Sequence, residues 1–123
     1  MSNPPLSVAI IGASTDPAKY GNKAVRAYLR QGWTVYPITP RPEPIEGLKT
    51  YPSILATPGP VDRASLYLPP ALGIKVLPEI KQKGVSELFV NPGAESPELE
   101  AEAERLDLPA VYGCAIVAIG ERP

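Results

Sequence analysis

The sequence contains no histidine. That absence removes Ser-His and Cys-His nucleophile pairs, phosphohistidine intermediates, histidine general bases and histidine metal ligands in one step. A single cysteine, Cys114, allows no internal disulfide and no thiolate metal cluster, which fits a reducing compartment. Neither sign of charge dominates, since twelve basic residues stand against thirteen acidic ones. This balance argues against nucleic acid as a partner and leaves room for a local basic patch on a phosphorylated ligand. Long apolar runs are missing as well. Met1–Leu6 lacks the basic start and apolar stretch of a signal peptide, and Leu108–Gly120 is too short to span a bilayer, so a cytoplasmic protein without membrane attachment is expected.

Proline is what the sequence has in excess. Seventeen prolines and ten glycines in 123 residues are nearly twice the ordinary share. Hydrophobic residues at 44% and charged residues at 20% nevertheless keep the composition globular rather than disordered. The length suits one domain over residues 1–123.

Apolar runs and helical periods alternate along the chain. Leu6–Ile11 is a short apolar run rich in β-branched residues, as in a strand buried on both faces. Asn22–Gln31 carries Ala24, Val25, Tyr28 and Leu29 at helical spacing and stops at Gly32. Trp33–Ile38 reads as a second strand, with Pro37 near its end or on an unpaired side. Thr39–Pro60 is proline-rich turn, with room for a short helix at Ser53–Ala56. A third strand at Arg63–Leu68 precedes a helix over Ala71–Lys83, in which Pro78 predicts a kink or a late start. A fourth strand at Glu87–Asn91 is followed by Ser96-Pro97-Glu98-Leu99, where a serine N-cap, a proline at the first helical position and acidic side chains mark a helix start. That helix runs to about Leu106, before a fifth strand at Pro109–Tyr112 and a sixth strand or packed tail at Cys114–Ile119. The fold class is therefore α/β, with a mainly parallel five- or six-stranded sheet flanked by helices. Ligands of such sheets sit outside the carboxyl ends of the strands.

Four segments fall at those ends. In Gly12-Ala-Ser-Thr-Asp-Pro-Ala-Lys-Tyr-Gly21, Gly12 can make the tight turn, and the free N–H groups and hydroxyls near the helix start can hold a phosphate. The segment departs from the dinucleotide fingerprint, with Ser14 at the second glycine position and Pro17 at the third. Thr39-Pro40-Arg41 follows the second strand, where an acidic residue would receive the ribose of NAD. Arg41 suits a phosphorylated ribose instead, as in NADP or coenzyme A (CoA), unless it is simply a solvated loop charge. Tyr67-Leu68-Pro69-Pro70 and Val90-Asn91-Pro92-Gly93 follow strands three and four. Their prolines end the strands and can form a rigid slot for an amide-bearing arm, or serve only as turns.

With these segments in order, the sequence resembles the small stand-alone CoA-binding domain proteins and, more distantly, the N-terminal domain of the succinyl-CoA ligase alpha subunit. The resemblance rests on Val8–Ser14, Lys19–Gly21, Val35–Pro40, Tyr51–Ser53, Asn91–Ser96 and Val111–Cys114. It implies a three-layer Rossmann-like fold. It also implies that Gly12, Ser14, Thr15, Asp16 and Pro17 lie against the CoA pyrophosphate, with Lys19 and Tyr20 nearby. Thr39, Pro40 and Arg41 would meet the adenosine 3'-phosphate, while Tyr67, Leu68 and Pro69 with Val90, Asn91, Pro92 and Gly93 would border the adenine and pantetheine.

Two departures limit the transfer. Asn91 stands where related small proteins usually carry Gln, and the ligase's catalytic histidine has no counterpart. Cys114 matches a cysteine common in the family, read either as a partner of the CoA thiol or as a small packed side chain. The acidic residues Glu95 to Glu104 spread around one helix and read as a solvated face, not a metal site. The expectation is a non-catalytic holder of CoA or an acyl-CoA, acting alone, as a homo-oligomer or with a protein partner. An NADP-dependent enzyme or redox sensor is the alternative.

Overall fold

A computed structural model describes residues 4–123; Met1–Asn3, part of the amino-terminal stretch read above, lie outside it. Five strands form one sheet: β1 (Ser7–Ile11), β2 (Thr34–Ile38), β3 (Arg63–Leu66), β4 (Glu87–Val90) and β5 (Ala110–Tyr112). Their order is β2-β1-β3-β4-β5, and every pairing is parallel. The three helices are α1 (Tyr20–Arg30), α2 (Pro70–Lys83) and α3 (Pro97–Arg105).

The sheet separates two apolar layers. Ala24, Val25, Ala27 and Tyr28 of α1 pack with Val8 and Ile10 on one face, joined by Ala115 and Ile116 from the C-terminal segment. On the other face, Leu77 and Ile80 of α2 and Leu99 and Ala103 of α3 cover Ala9, Ile11, Leu66 and Leu88. β1 is buried throughout because it lies second in the sheet with apolar layers on both sides, which explains its lack of alternation.

Local chemistry sets the ends of these elements. Gly32 and Gly84 stop α1 and α2 with φ of 81° and 79°, where a side chain would be strained. The Ser96 hydroxyl accepts from the Leu99 N–H at 3.0 Å and caps α3. Pro37 sits on edge strand β2, as its missing N–H requires. α2 starts one residue earlier than its periodicity suggests and continues through Pro78, so the late start does not occur. The last apolar segment is a packed tail with a 3-10 turn at Val117–Ile119, not a sixth strand. Ala115 and Ile116 bury themselves there, and the neighbouring strand β5 remains the sheet edge.

The two edges of the sheet differ in chemistry. At the amino edge, polar groups are consumed internally: the Arg63 guanidinium donates to Glu87 at 2.9 Å and to the Tyr28 hydroxyl at 3.1 Å, between the Trp33 and Phe89 rings. At the carboxyl edge, the first turn of α1 presses onto the end of β1. A Cβ on Gly21 would lie 2.2 Å from the Gly12 carbonyl oxygen, so only glycine permits this approach.

Gly21→Ala is therefore expected to cost about 3 kcal/mol, as overpacking against backbone does. Gly113→Ala, with open space around its Cβ position, should stay within about 0.5 kcal/mol. Urea denaturation of the two variants checks the contrast.

Tyr67, just beyond β3, packs against the α1-side layer, and its hydroxyl is buried without a partner among the described residues. Burial pushes its pKa well above the tyrosine range. The proton is held more tightly in the folded state, so this contribution is complete below about pH 10 and is lost as pH rises further. Tyr67→Phe should gain about 1 kcal/mol at pH 7 by removing an unpaired buried hydroxyl. It should also flatten the alkaline fall in stability, leaving the slope due to Tyr28 and Tyr112, whose pKa values burial also raises. Denaturation midpoints between pH 7 and 11 test both points.

Candidate functional site

The strand order reverses between β1 and β3, and there the carboxyl ends of β1, β3 and β4 leave a crevice of about 680 Å³. That size lies within the range of small-molecule sites, about 300–1,000 Å³. Gly12, Lys19 and Tyr20 form one wall, Tyr67, Leu68 and Pro69 the second, and Asn91, Pro92 and Gly93 the third. Nine of the residues singled out in the sequence thus share one cavity.

Gly12 makes the narrow floor possible. Its φ is 94°, and a Cβ there would stand 3.1 Å from the backbone carbon of Tyr67. Gly12 and Ala13 both donate to the Ile38 carbonyl, at 3.1 and 3.2 Å, which ties the β1–α1 loop to the end of β2. The rest of this loop is held by its own side chains. Ser14 Oγ accepts from the Asp16 N–H at 3.0 Å, and Asp16 Oδ1 accepts from the Ala18 N–H at 2.9 Å.

Among the described residues, the N–H groups of Ser14, Thr15, Tyr20 and Gly21 have no acceptor within the chain. The first turn of α1 contains no acidic side chain, and Lys19 stands at its N-cap. Free donors, the positive helix end and a lysine suit an anion. Ser14, Thr15, Asp16 and Pro17 do not line the crevice; they shape the loop above it.

Thr39, Pro40 and Arg41 lie apart from that crevice, in a second concavity of about 540 Å³ beyond β2. Pro42, Pro44, Lys49 and Thr50 complete it. Two cations therefore share this hollow, and neither Arg41 nor Lys49 is in an ion pair among the described residues.

The placement of two residues differs from the expectation. Val90 is buried in β4, 1% exposed, and its side chain belongs to the core. Asn91 reaches the crevice, but its amide is engaged inside the fold. Nδ2 donates to Ser65 Oγ and to the Leu66 carbonyl at 2.9 and 3.0 Å, and Oδ1 accepts from the Ala115 N–H at 2.8 Å. Asn91 thus braces β3, β4 and the C-terminal segment.

Other lining residues were not singled out from the sequence as contacts: Gly21, Ala94, Val117 and Pro123. Gly21 takes over the close helix–strand approach that the dinucleotide fingerprint gives to its third glycine. A second glycine nine residues after Gly12 was visible, but its role depends on a contact that spacing alone does not reveal. Cys114 lies half-buried in the crevice wall, outside any strand.

Known proteins share this fold. The chain is 34% identical over 120 residues to the alpha subunit of an ADP-forming acetate–CoA ligase II from Pyrococcus furiosus; the match covers 92% of this chain and 26% of that protein. The chain therefore spans about a quarter of that relative's length. A conserved hypothetical protein from Pyrococcus furiosus superimposes with a TM-score of 0.85 at 37% identity, covering 92% of this chain and 98% of that one. A dinucleotide-forming acetyl-coenzyme A synthetase 1 from Ca. Korarchaeum cryptofilum, solved with phosphate and ADP, superimposes with a TM-score of 0.75 at 30% identity, covering 89% of this chain and 26% of that one. Residues 6–120 match the family described as the CoA-binding domain, and the chain belongs to that family.

Proposed function

We propose that this chain holds CoA or an acyl-CoA across the two concavities and performs no chemistry on it by itself. The observation that carries this reading is the pairing of a largely apolar, proline-walled crevice, with Lys19 in one wall, and a separate basic hollow on the same edge of the sheet. CoA has matching parts: a long neutral pantetheine arm, a pyrophosphate and a phosphorylated ribose. The arm would lie between Leu68-Pro69 and Pro92-Gly93. The pyrophosphate would meet the free N–H groups of Ser14, Thr15, Tyr20 and Gly21 with Lys19 beside them. Arg41 and Lys49 would receive the adenosine 3'-phosphate.

The residues available support the non-catalytic part of this reading. The crevice offers Lys19, Tyr20, Tyr67 and Cys114 as titratable groups. The Tyr67 hydroxyl is closed off from the cavity by burial. Among the described residues lining the crevice, no Asp, Glu or His side chain stands beside these groups as an acid–base partner. The ligase relatives are named for a reaction in which CoA is joined to acetate; in this chain, a partner protein would supply any comparable step.

Binding is tested by thermal shift and calorimetry with CoA, acetyl-CoA, longer acyl-CoAs, dephospho-CoA, NADP and NAD. CoA or an acyl-CoA in excess should raise the melting temperature through mass action, with NAD the weakest ligand. Preference for NADP over every CoA species, or no response to any, would sink the reading.

Arg41→Ala should weaken CoA by about 1–3 kcal/mol, the size of a charge-assisted hydrogen bond, and change dephospho-CoA much less. Equal losses for both ligands would show that Arg41 does not read the 3'-phosphate.

A further inference from the structure

The turn Ile45-Glu46-Gly47-Leu48 breaks a local rule. Ile45 and Leu48 form an antiparallel bridge, with N–H to carbonyl distances of 3.1 and 2.8 Å. The two residues between them have positive φ, 49° at Glu46 and 76° at Gly47, the pattern of a type I′ turn. Gly47 suits that backbone. Glu46 does not, since the first central position favours Asn, Asp or Gly and a longer side chain there is strained. Asp107 is the other described non-glycine residue with positive φ, and aspartate tolerates that region.

The Glu46 side chain explains why the strain persists. Its Oε2 accepts from Asn22 Nδ2 at 3.1 Å, and the same amide donates to the Ser14 carbonyl at 2.9 Å. Asn22, fully buried, accepts in turn from Arg26 Nε at 2.8 Å, and Arg26 Nη2 donates to the Pro17 carbonyl at 2.8 Å. One carboxylate from the proline-rich rim therefore reaches, through one amide, the loop that follows β1. Ile45 anchors the same turn in the α1-side core, while Pro44, Gly47 and Lys49 line the basic hollow. Asparagine or aspartate at position 46 would suit the turn, but each is one methylene shorter.

We propose that Glu46 is a positioning residue that fixes the separation between the crevice and the basic hollow, so that one extended ligand is held at both ends. This rests on the CoA reading above. Strained backbone is retained where the surroundings over-determine it. Here the compensation is a defined distance between two half-sites, which matters to a ligand spanning both and not to one filling either.

The test uses Glu46→Asn and Glu46→Gln with three probes: CoA, 4'-phosphopantetheine and adenosine 3',5'-bisphosphate. E46N should melt at or above the wild-type temperature yet bind CoA at least about tenfold more weakly, while each fragment changes less than about twofold. E46Q, which keeps the reach and an acceptor oxygen, should retain CoA affinity within about threefold. If E46N does not fold, Glu46→Gly, which also suits the turn, takes its place. Unchanged CoA affinity in a wild-type-stable variant overturns the positioning role. So do fragment losses equal to the CoA loss, or affinity falling only in step with stability. Failure of the wild-type chain to bind CoA overturns the functional reading first, and this proposal with it.

Discussion

The carboxyl edge of this protein depends on one backbone contact, the approach of Gly21 to the carbonyl of Gly12. It brings the first turn of α1, with its unpaired N–H groups, against the end of β1. Loosening that contact would tilt the helix start outward and separate the donors from the slot walls formed after β3 and β4. The β1–α1 loop is braced from two further directions, by the Ile38 carbonyl at the end of β2 and by Asn22 beneath Ser14. A site assembled from backbone donors needs such bracing, because it has few flexible side chains with which to correct a misplaced loop.

Much of this edge could be read from the sequence. Apolar runs ending in glycine or proline located all five strands within one or two residues, and their alternation with helical periods implied a parallel sheet. The four loops at strand ends contained most of the residues that line the two concavities. What stayed hidden depends on distance in space. Asn22 reads as a polar helix residue until its contacts with Ser14 and Glu46 are seen, the latter 24 residues away. The separation of Arg41 from the main crevice is equally invisible in a linear motif. Val90 directly precedes Asn91 in the chain, yet it still belongs to β4, where both faces are covered and its side chain packs in the core.

The division between crevice and hollow bears on specificity. A neutral slot alone would accept many extended amides, and two lysine or arginine side chains alone would accept many phosphates. Held together at a fixed spacing, as proposed, they would select a molecule that has both features at the matching distance. Acidic side chains near the site are engaged by the chain itself: Glu95 Oε2 accepts from the Gly93 N–H at 2.9 Å. α3 carries a solvated carboxylate face, and Asp16 directs Oδ1 to the Ala18 N–H.

The prolines complete the argument. Pro69, Pro70 and Pro92 border the crevice, and Pro40, Pro42, Pro44 and Pro52 border the hollow. Proline fixes φ and limits the conformations open to the residue before it, so these rims lose little entropy when a ligand orders them. Proline also removes an N–H that would otherwise need a partner at an exposed strand end. The same excess that gives the sequence its unusual composition thus makes a rigid edge from loops. A rigid edge suits the proposed holding of a ligand better than closure around it.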